Sequence, residues 1–197
     1  MKKAFQLFLS FTLFLLINSS LFAQSQFGQA LADSAYTLTH QHVIYDPSYF
    51  SIKYPNGDVP AGKGVCTDVV IRAYRKLGID LQKNVHEDMK ANFGKYPNNW
   101  GLTRPDKNID HRRVPNLMVY FSRFGKEFSI SRSAAHYYPG DIVCWDLGNG
   151  TTHIGIVASQ KTGDKKRHLI IHNIGAGQVL EDCLFKYKII GHYQFEH

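Results

Sequence analysis

Cysteine is scarce: the 197 residues hold three, Cys66, Cys144 and Cys183. That is too few, in too long a chain, for a disulfide scaffold. The odd count also leaves at least one thiol without a partner in the chain. A HExxH motif and paired-cysteine spacings are missing, so no familiar zinc motif is written in the sequence, and no metal or cofactor is expected. Long runs of Lys and Arg are missing too, although basic residues outnumber acidic ones by 23 to 16. Nucleic acid is therefore not an expected partner. There are no repeats and no low-complexity segments.

Only one long apolar run exists. Ala4 to Ile17 is interrupted just by Gln6, Ser10 and Thr12, and Lys2 and Lys3 precede it. It falls short of the ~20 residues that a spanning helix needs. With the small-residue region Ser19–Gln24 behind it, the run reads as a signal peptide cleaved after Ala23. No cysteine follows it, which argues against a lipid anchor. The expectation is one signal segment, 1–23, followed by one domain, 24–197, periplasmic or secreted and monomeric. The formal charge of +7 suits an anionic partner such as cell wall or lipid headgroups, though it serves solubility equally well.

Hydrophobic periodicity places helices first and strands after. Gln29–Val43 carries Leu31, Ala32, Ala35 and Leu38 on one face. Cys66–Leu77 is the clearest helix, with Val69, Val70, Ala73, Tyr74 and Leu77 at helical spacing and Gly78 as its stop. Val85–Phe93 and Leu117–Phe124 are two shorter candidates. Tyr45–Gly64 and Tyr96–Arg113 read as ordered loops. Asp141–Leu147, His153–Gln160, His168–Asn173 and Ile189–Phe195 are strand-like, with turn residues between the first three. Helices followed by an antiparallel meander make an α+β fold.

Cys66 opens the strongest helix, behind Gly62, Lys63 and Gly64. The unpaired N–H groups of a helix N-terminus favour a thiolate and can also face an oxyanion. The commoner fate of a free cysteine is a small buried hydrophobe. A cysteine nucleophile needs a base and a group that orients the base. His153 begins a strand directly after a turn. His172 ends the next strand and can lie beside it across a hairpin; Asn173 competes for that orienting role. Adjacent strand residues face opposite sides, so only one of the two can do so.

The runs GVCTDVVIRAYRKLGI, PGDIVCWDL, HIGIVAS and IIHN resemble the NlpC-type papain-like peptidases of bacterial cell walls. More closely, the stretch from Tyr45 to Phe195 resembles an exported bacterial family, domain of unknown function 1287. Its likeness lies in GDVPAGKGVCTDVVIRAY, VHEDM, NIDHRRVPNL, PGDIV, HIGIV and HNIG. The resemblance implies a papain-like fold, a peptidase or amidase acting on peptidoglycan peptides, and the roles of nucleophile, base and orienting group for Cys66, His153 and His172. NlpC-type proteins usually show Asp-Cys-Ser-Gly; Val65-Cys66-Thr67-Asp68 stands here instead, and its Cys-Thr pair looks like the CHAP amidases. Tyr54, twelve residues before Cys66, matches a tyrosine that some relatives set beside the oxyanion. Two rival functions use the same fold: a non-catalytic wall-binding module, and a lipid-directed thiol acyltransferase or hydrolase.

Charge is dense at His86-Glu87-Asp88 and at Asp110-His111-Arg112-Arg113. His86, Asp110, His111, Arg112 and Arg113 could clamp the carboxylates of wall peptides. They could instead form a salt-bridged network that pins the 96–113 loop. A metal held by His86, Glu87, Asp110 and His111 has no motif behind it. Cys144, mid-strand beside Trp145, reads as core. Cys183 follows Glu181-Asp182, whose charges disfavour a thiolate. These two cysteines could also bridge each other. His192 reads as structural.

Overall fold

The computed structural model describes residues 26–196. The segment read as a signal peptide lies outside the described residues.

Four helices pack on an antiparallel sheet, the α+β fold that the sequence predicts. Helix α1 spans 26–38, α2 Cys66–Lys76, α3 Leu81–Asn92 and α4 Val114–Phe124. Two short parallel strands, β1 Ile44–Tyr45 and β2 Lys63–Gly64, lie before α2. The main sheet has six strands in the order β3-β8-β4-β5-β6-β7. They are β3 Lys126–Glu127, β4 Ile142–Asp146, β5 Thr152–Lys161, β6 His168–His172, β7 Val179–Glu181 and β8 Lys188–Gln194. Strands β4, β5 and β6 form the first three strands of the expected meander, and β7 extends it as a strand not read from the sequence. Strand β8, expected as the fourth strand, instead pairs with β4 on its far side.

Several bounds differ from the sequence reading for local reasons. Helix α1 stops five residues early and leaves Val43 to the loop that feeds β1. Helix α3 starts earlier because the Asp80 carboxylate caps it, accepting from the Lys83 N–H at 3.0 Å. Helix α4 starts earlier because Pro115 suits a first turn, where its missing N–H costs nothing.

The sheet separates two cores. Cys144, Ile154, Ile156 and Ile171 pack on one face against the apolar sides of α1, α2 and α4. Val69, Val70, Ala73 and Tyr74 of α2 are sealed there at 0% exposure. Each such valine contributes about 1.5–3 kcal/mol of burial. Val143, Trp145, Val157 and Ile170 face the other side, against Tyr137, Cys183 and Leu184. Cys144 and Cys183 therefore sit on opposite faces, and all three cysteines are free and buried. This corrects the notion that those two might bridge: a sheet stands between them. Among the described residues no helix is long and apolar enough to cross a membrane.

Candidate active site

The strand β2 leads straight into α2, so the pairing of Tyr45 with Gly64 sets the approach to Cys66. The Asp68 carboxylate closes the first turn by accepting the Val65 N–H at 2.7 Å. Arg112 then grips Asp68 with a fork, Nε to Oδ1 at 2.9 Å and Nη2 to Oδ2 at 3.0 Å. Its Nη1 also reaches the Ser48 carbonyl at 3.1 Å. The Thr67 hydroxyl donates to the Arg112 carbonyl at 3.1 Å. The nucleophile candidate thus stands on a helix end tied to two loops by one buried ion pair.

The backbone N–H groups of Ile154, Thr67 and Cys66 itself lie near enough to the Cys66 sulfur to favour its charged form. This brings the sulfur to the start of β5, one residue from His153. The β5–β6 register ends at the Ile156–Ile171 pair, so His153 and Ile154 lie at an open end of that edge. Cys66 is 6% exposed. Burial pushes its thiol up to about 12, and the Asp68 charge adds to this against the three N–H groups. The expectation of a helix-stabilised thiolate is corrected here: desolvation outweighs the helix N-terminus, and the resting group is a thiol.

His153 pairs across the sheet with Trp145, and their rings lie 5.7 Å apart between centroids. Its Nε2 lies 2.8 Å from Nδ1 of His172. His172 Nε2 in turn lies 3.2 Å from Oε2 of Glu181, and Lys186 donates to the other Glu181 oxygen at 2.9 Å. These contacts determine the tautomers. A carboxylate can only accept, so His172 carries its proton on Nε2 and presents a bare Nδ1. His153 must then donate from Nε2, which leaves its Nδ1 as the free lone pair. Burial lowers His153 to about 3, with His172 adding to the effect, so its imidazole is neutral. Burial lowers His172 also, against the pull of Glu181.

Of the sequence-predicted residues, His153 and His172 meet at this end of the sheet, on the face of β5 that Trp145 shares, while the Cys66 sulfur reaches the main chain of the neighbouring Ile154 from the other core. Asn173 does not: its Nδ2 donates to the Gly64 carbonyl at 3.2 Å and its Oδ1 accepts from Gly175. It holds the loop before Cys66 rather than the histidine. Tyr54 lies elsewhere, its hydroxyl donating to Glu87 on α3 and its ring against His86. The tyrosine that senses Cys66 is Tyr45: burial raises its hydroxyl, and the charges of Cys66 and Asp68 raise it further.

The proposed carboxylate clamp is turned inward. Asp110, His111 and Arg112 are buried, Arg112 on Asp68 and Asp110 beneath Arg113 at 2.9 Å. Arg113 also stacks over Trp100, 4.0 Å from the ring centroid. His86 leaves Nδ1 buried without a partner. The segment is the network that pins the 96–113 loop onto α2: Arg112 pairs with Asp68 and Arg113 with Asp110, and buried charges are costly unless paired. Nor do His86, Glu87, Asp110 and His111 gather into a metal site. Among the described residues the ligand atoms that do gather are those of His172, Glu181 and Cys183.

Glu181 is the residue that sequence reasoning passed over. It lies opposite Ile170, a diagonal neighbour of His172 on the same face. The alternation Glu181-Asp182-Cys183 puts Glu181 and Cys183 on one side, which was legible; the strand itself, three residues long, was not. His192 is structural as read, its Nε2 2.6 Å from Oδ2 of Asp141 in the core.

No solved structure matches the chain. A protein of Escherichia coli strain K12, described as uncharacterized protein YijF, is 51% identical over 172 residues, covering 87% of this chain and 83% of that one. The model of the family described as domain of unknown function DUF1287 matches residues 32–195, and the chain belongs to that family.

Proposed function

We propose that the chain is an exported cysteine hydrolase on a papain-like arrangement, cleaving an amide bond in the stem or crosslink peptides of peptidoglycan. One observation carries the reading: the 2.8 Å His153–His172 contact at the end of β5 where the Cys66 sulfur meets the Ile154 N–H. The sulfur there lies beside the residue next to His153 in the chain, and the hydrogen bonds leave His153 Nδ1 bare.

The resting pair is a neutral thiol and a neutral imidazole. As the sulfur attacks a carbonyl carbon, His153 Nδ1 takes its proton, so thiolate and C–S bond develop together. The imidazolium is stabilised through His172 by the Glu181 carboxylate. The N–H groups of Cys66 and Thr67 at the helix end hold the oxyanion. His153 returns its proton to the leaving amine, and water hydrolyses the thioester with the same histidine as base. Export rests on the N-terminal segment, and the substrate on export and on the resemblance to wall peptidases.

The burial of Cys66 favours a second reading, a wall-binding module that keeps the fold and does no chemistry. Mass spectrometry of purified muropeptides separates the two. A new fragment produced by the protein and absent with Cys66→Ala establishes hydrolysis and identifies the bond. Unchanged muropeptides with both proteins, together with retention on sacculi, would support the binding module instead.

A further inference from the structure

We infer that His172, Glu181 and Cys183 form a binding site for a thiophilic divalent metal, zinc by its chemistry, whose occupation disables His153 as a base. The second half rests on the proposed hydrolase reading; the first stands without it.

The three ligand atoms are one nitrogen, one carboxylate oxygen and one sulfur, all within 4.8 Å of one another. His172 Nε2 is 3.2 Å from Glu181 Oε2 and 3.5 Å from Cys183 Sγ. The edges of a tetrahedral zinc site with ordinary Zn–N, Zn–O and Zn–S bonds are about 3.3–3.6 Å long. Two of the three edges are therefore already set. Glu181 closes the third: its side chain is 36% exposed, whereas that of His172 is 1% exposed. The same exposure provides the way in. Lys186 occupies only Oε1 of Glu181 and leaves Oε2 for the ion.

Charge favours the site as well. A divalent ion with one thiolate, one carboxylate and one neutral imidazole sums to zero, and a buried site needs that balance. Binding releases the Cys183 proton. Three protein ligands leave a fourth position for solvent.

The consequence for His153 follows from the hydrogen bonds. With the metal on Nε2, neutral His172 carries its proton on Nδ1 and donates it to His153 Nε2. His153 then carries its own proton on Nδ1, the atom that would receive the Cys66 proton. The proton lost at His172 Nε2 balances the one gained at His153 Nδ1. The metal thus inverts both tautomers and leaves Cys66 facing a donor.

Cobalt(II) titration of the purified, reduced protein tests the site. One equivalent should produce a thiolate-to-cobalt charge-transfer band. Cys183→Ser should abolish the band, and Glu181→Gln, at a partly exposed position safe for folding, should weaken binding by at least ~10-fold, the scale on which even outer-shell partners act. The band should persist in Cys66→Ala. Absence of the band, its survival in Cys183→Ser, or its loss in Cys66→Ala would overturn the site. The coupling is read by peptide-mapped alkylation with iodoacetamide: zinc should slow modification of Cys66 in the native protein and not in Cys183→Ser. Binding without such slowing would overturn the coupling alone. Failure to cleave muropeptides without metal would sink the hydrolase reading and leave the cobalt result standing.

Discussion

At the scale of single residues, the Glu181–His172–His153 chain carries the most consequence. In the proposed hydrolase the base needs a bare nitrogen, and at His153 that nitrogen is selected through His172 by a carboxylate that can only accept. His153→Ala should lower turnover of wall peptides by about 10²–10⁴-fold, the usual share of a positioned base. The ring is buried against Trp145, so the variant should also lose stability, and its turnover is compared per folded molecule. Arg112 is different in kind. Its side chain and that of Asp68 are 2% and 3% exposed. Removing the arginine leaves a buried carboxylate without its partner, and Arg112→Ala should cost about 3–5 kcal/mol in urea unfolding. Arg112→Lys retains charge without the fork and should fall between. A loss below ~1 kcal/mol for the alanine variant would mean that the pair is hydrated or dispensable.

At the scale of elements, the site depends on how closely β6 crosses β5. Gly155 makes that crossing possible. A Cβ there would meet Ile170 Cγ2 at 2.8 Å, the Ile171 carbonyl at 3.0 Å and His172 Cβ at 3.2 Å. Gly155→Ala should cost about 1–3 kcal/mol of stability, as overpacking does. It should also push His172 off His153, so turnover per folded molecule should drop, a comparison made by correcting the muropeptide rate for the folded fraction in urea. Equal activity per folded molecule would show that the pair tolerates the shift. Periodicity made α2, β4, β5, β6 and β8 legible to within a few residues, because each buries one continuous face. It missed β1, β2, β3 and β7, which are two or three residues long and are held by their partners rather than by their own pattern.

At the scale of the whole molecule, buried neutral histidines set the response to acid. His111 is 2% exposed, and burial, with Arg112 and Arg75 nearby, lowers it to about 3. In the unfolded chain it titrates near ~6.5. Its folded value is depressed, so the unfolded state binds the extra proton. Stability is therefore full above about pH 6.5 and falls as the pH drops toward 3, by about 1.4 kcal/mol per pH unit for this group once well below 6.5. The urea midpoint should be level from pH 7 to 8 on this account and decline below it, and a neutral His111→Asn variant that still folds should decline less steeply. An identical slope for that variant would assign the acid sensitivity to other groups.

The sequence by itself determined the α+β order of elements, the family, and the placing of Cys66 at the start of a helix and of His153 near the start of a strand, second after Thr152. Hydrophobic period and local turn chemistry decide those things, and both are written in short windows of chain. Only the tertiary structure decided the rest. It chose His172 over Asn173, because strand register puts one on each face. It moved the tyrosine beside the cysteine from Tyr54 to Tyr45, because β1 pairs with β2. It turned the Asp110–Arg113 segment from a clamp into a brace, because buried charges take the nearest partner. It replaced a helix-activated thiolate with a buried thiol, because desolvation is set by everything packed around a sulfur and by nothing in its own sequence window.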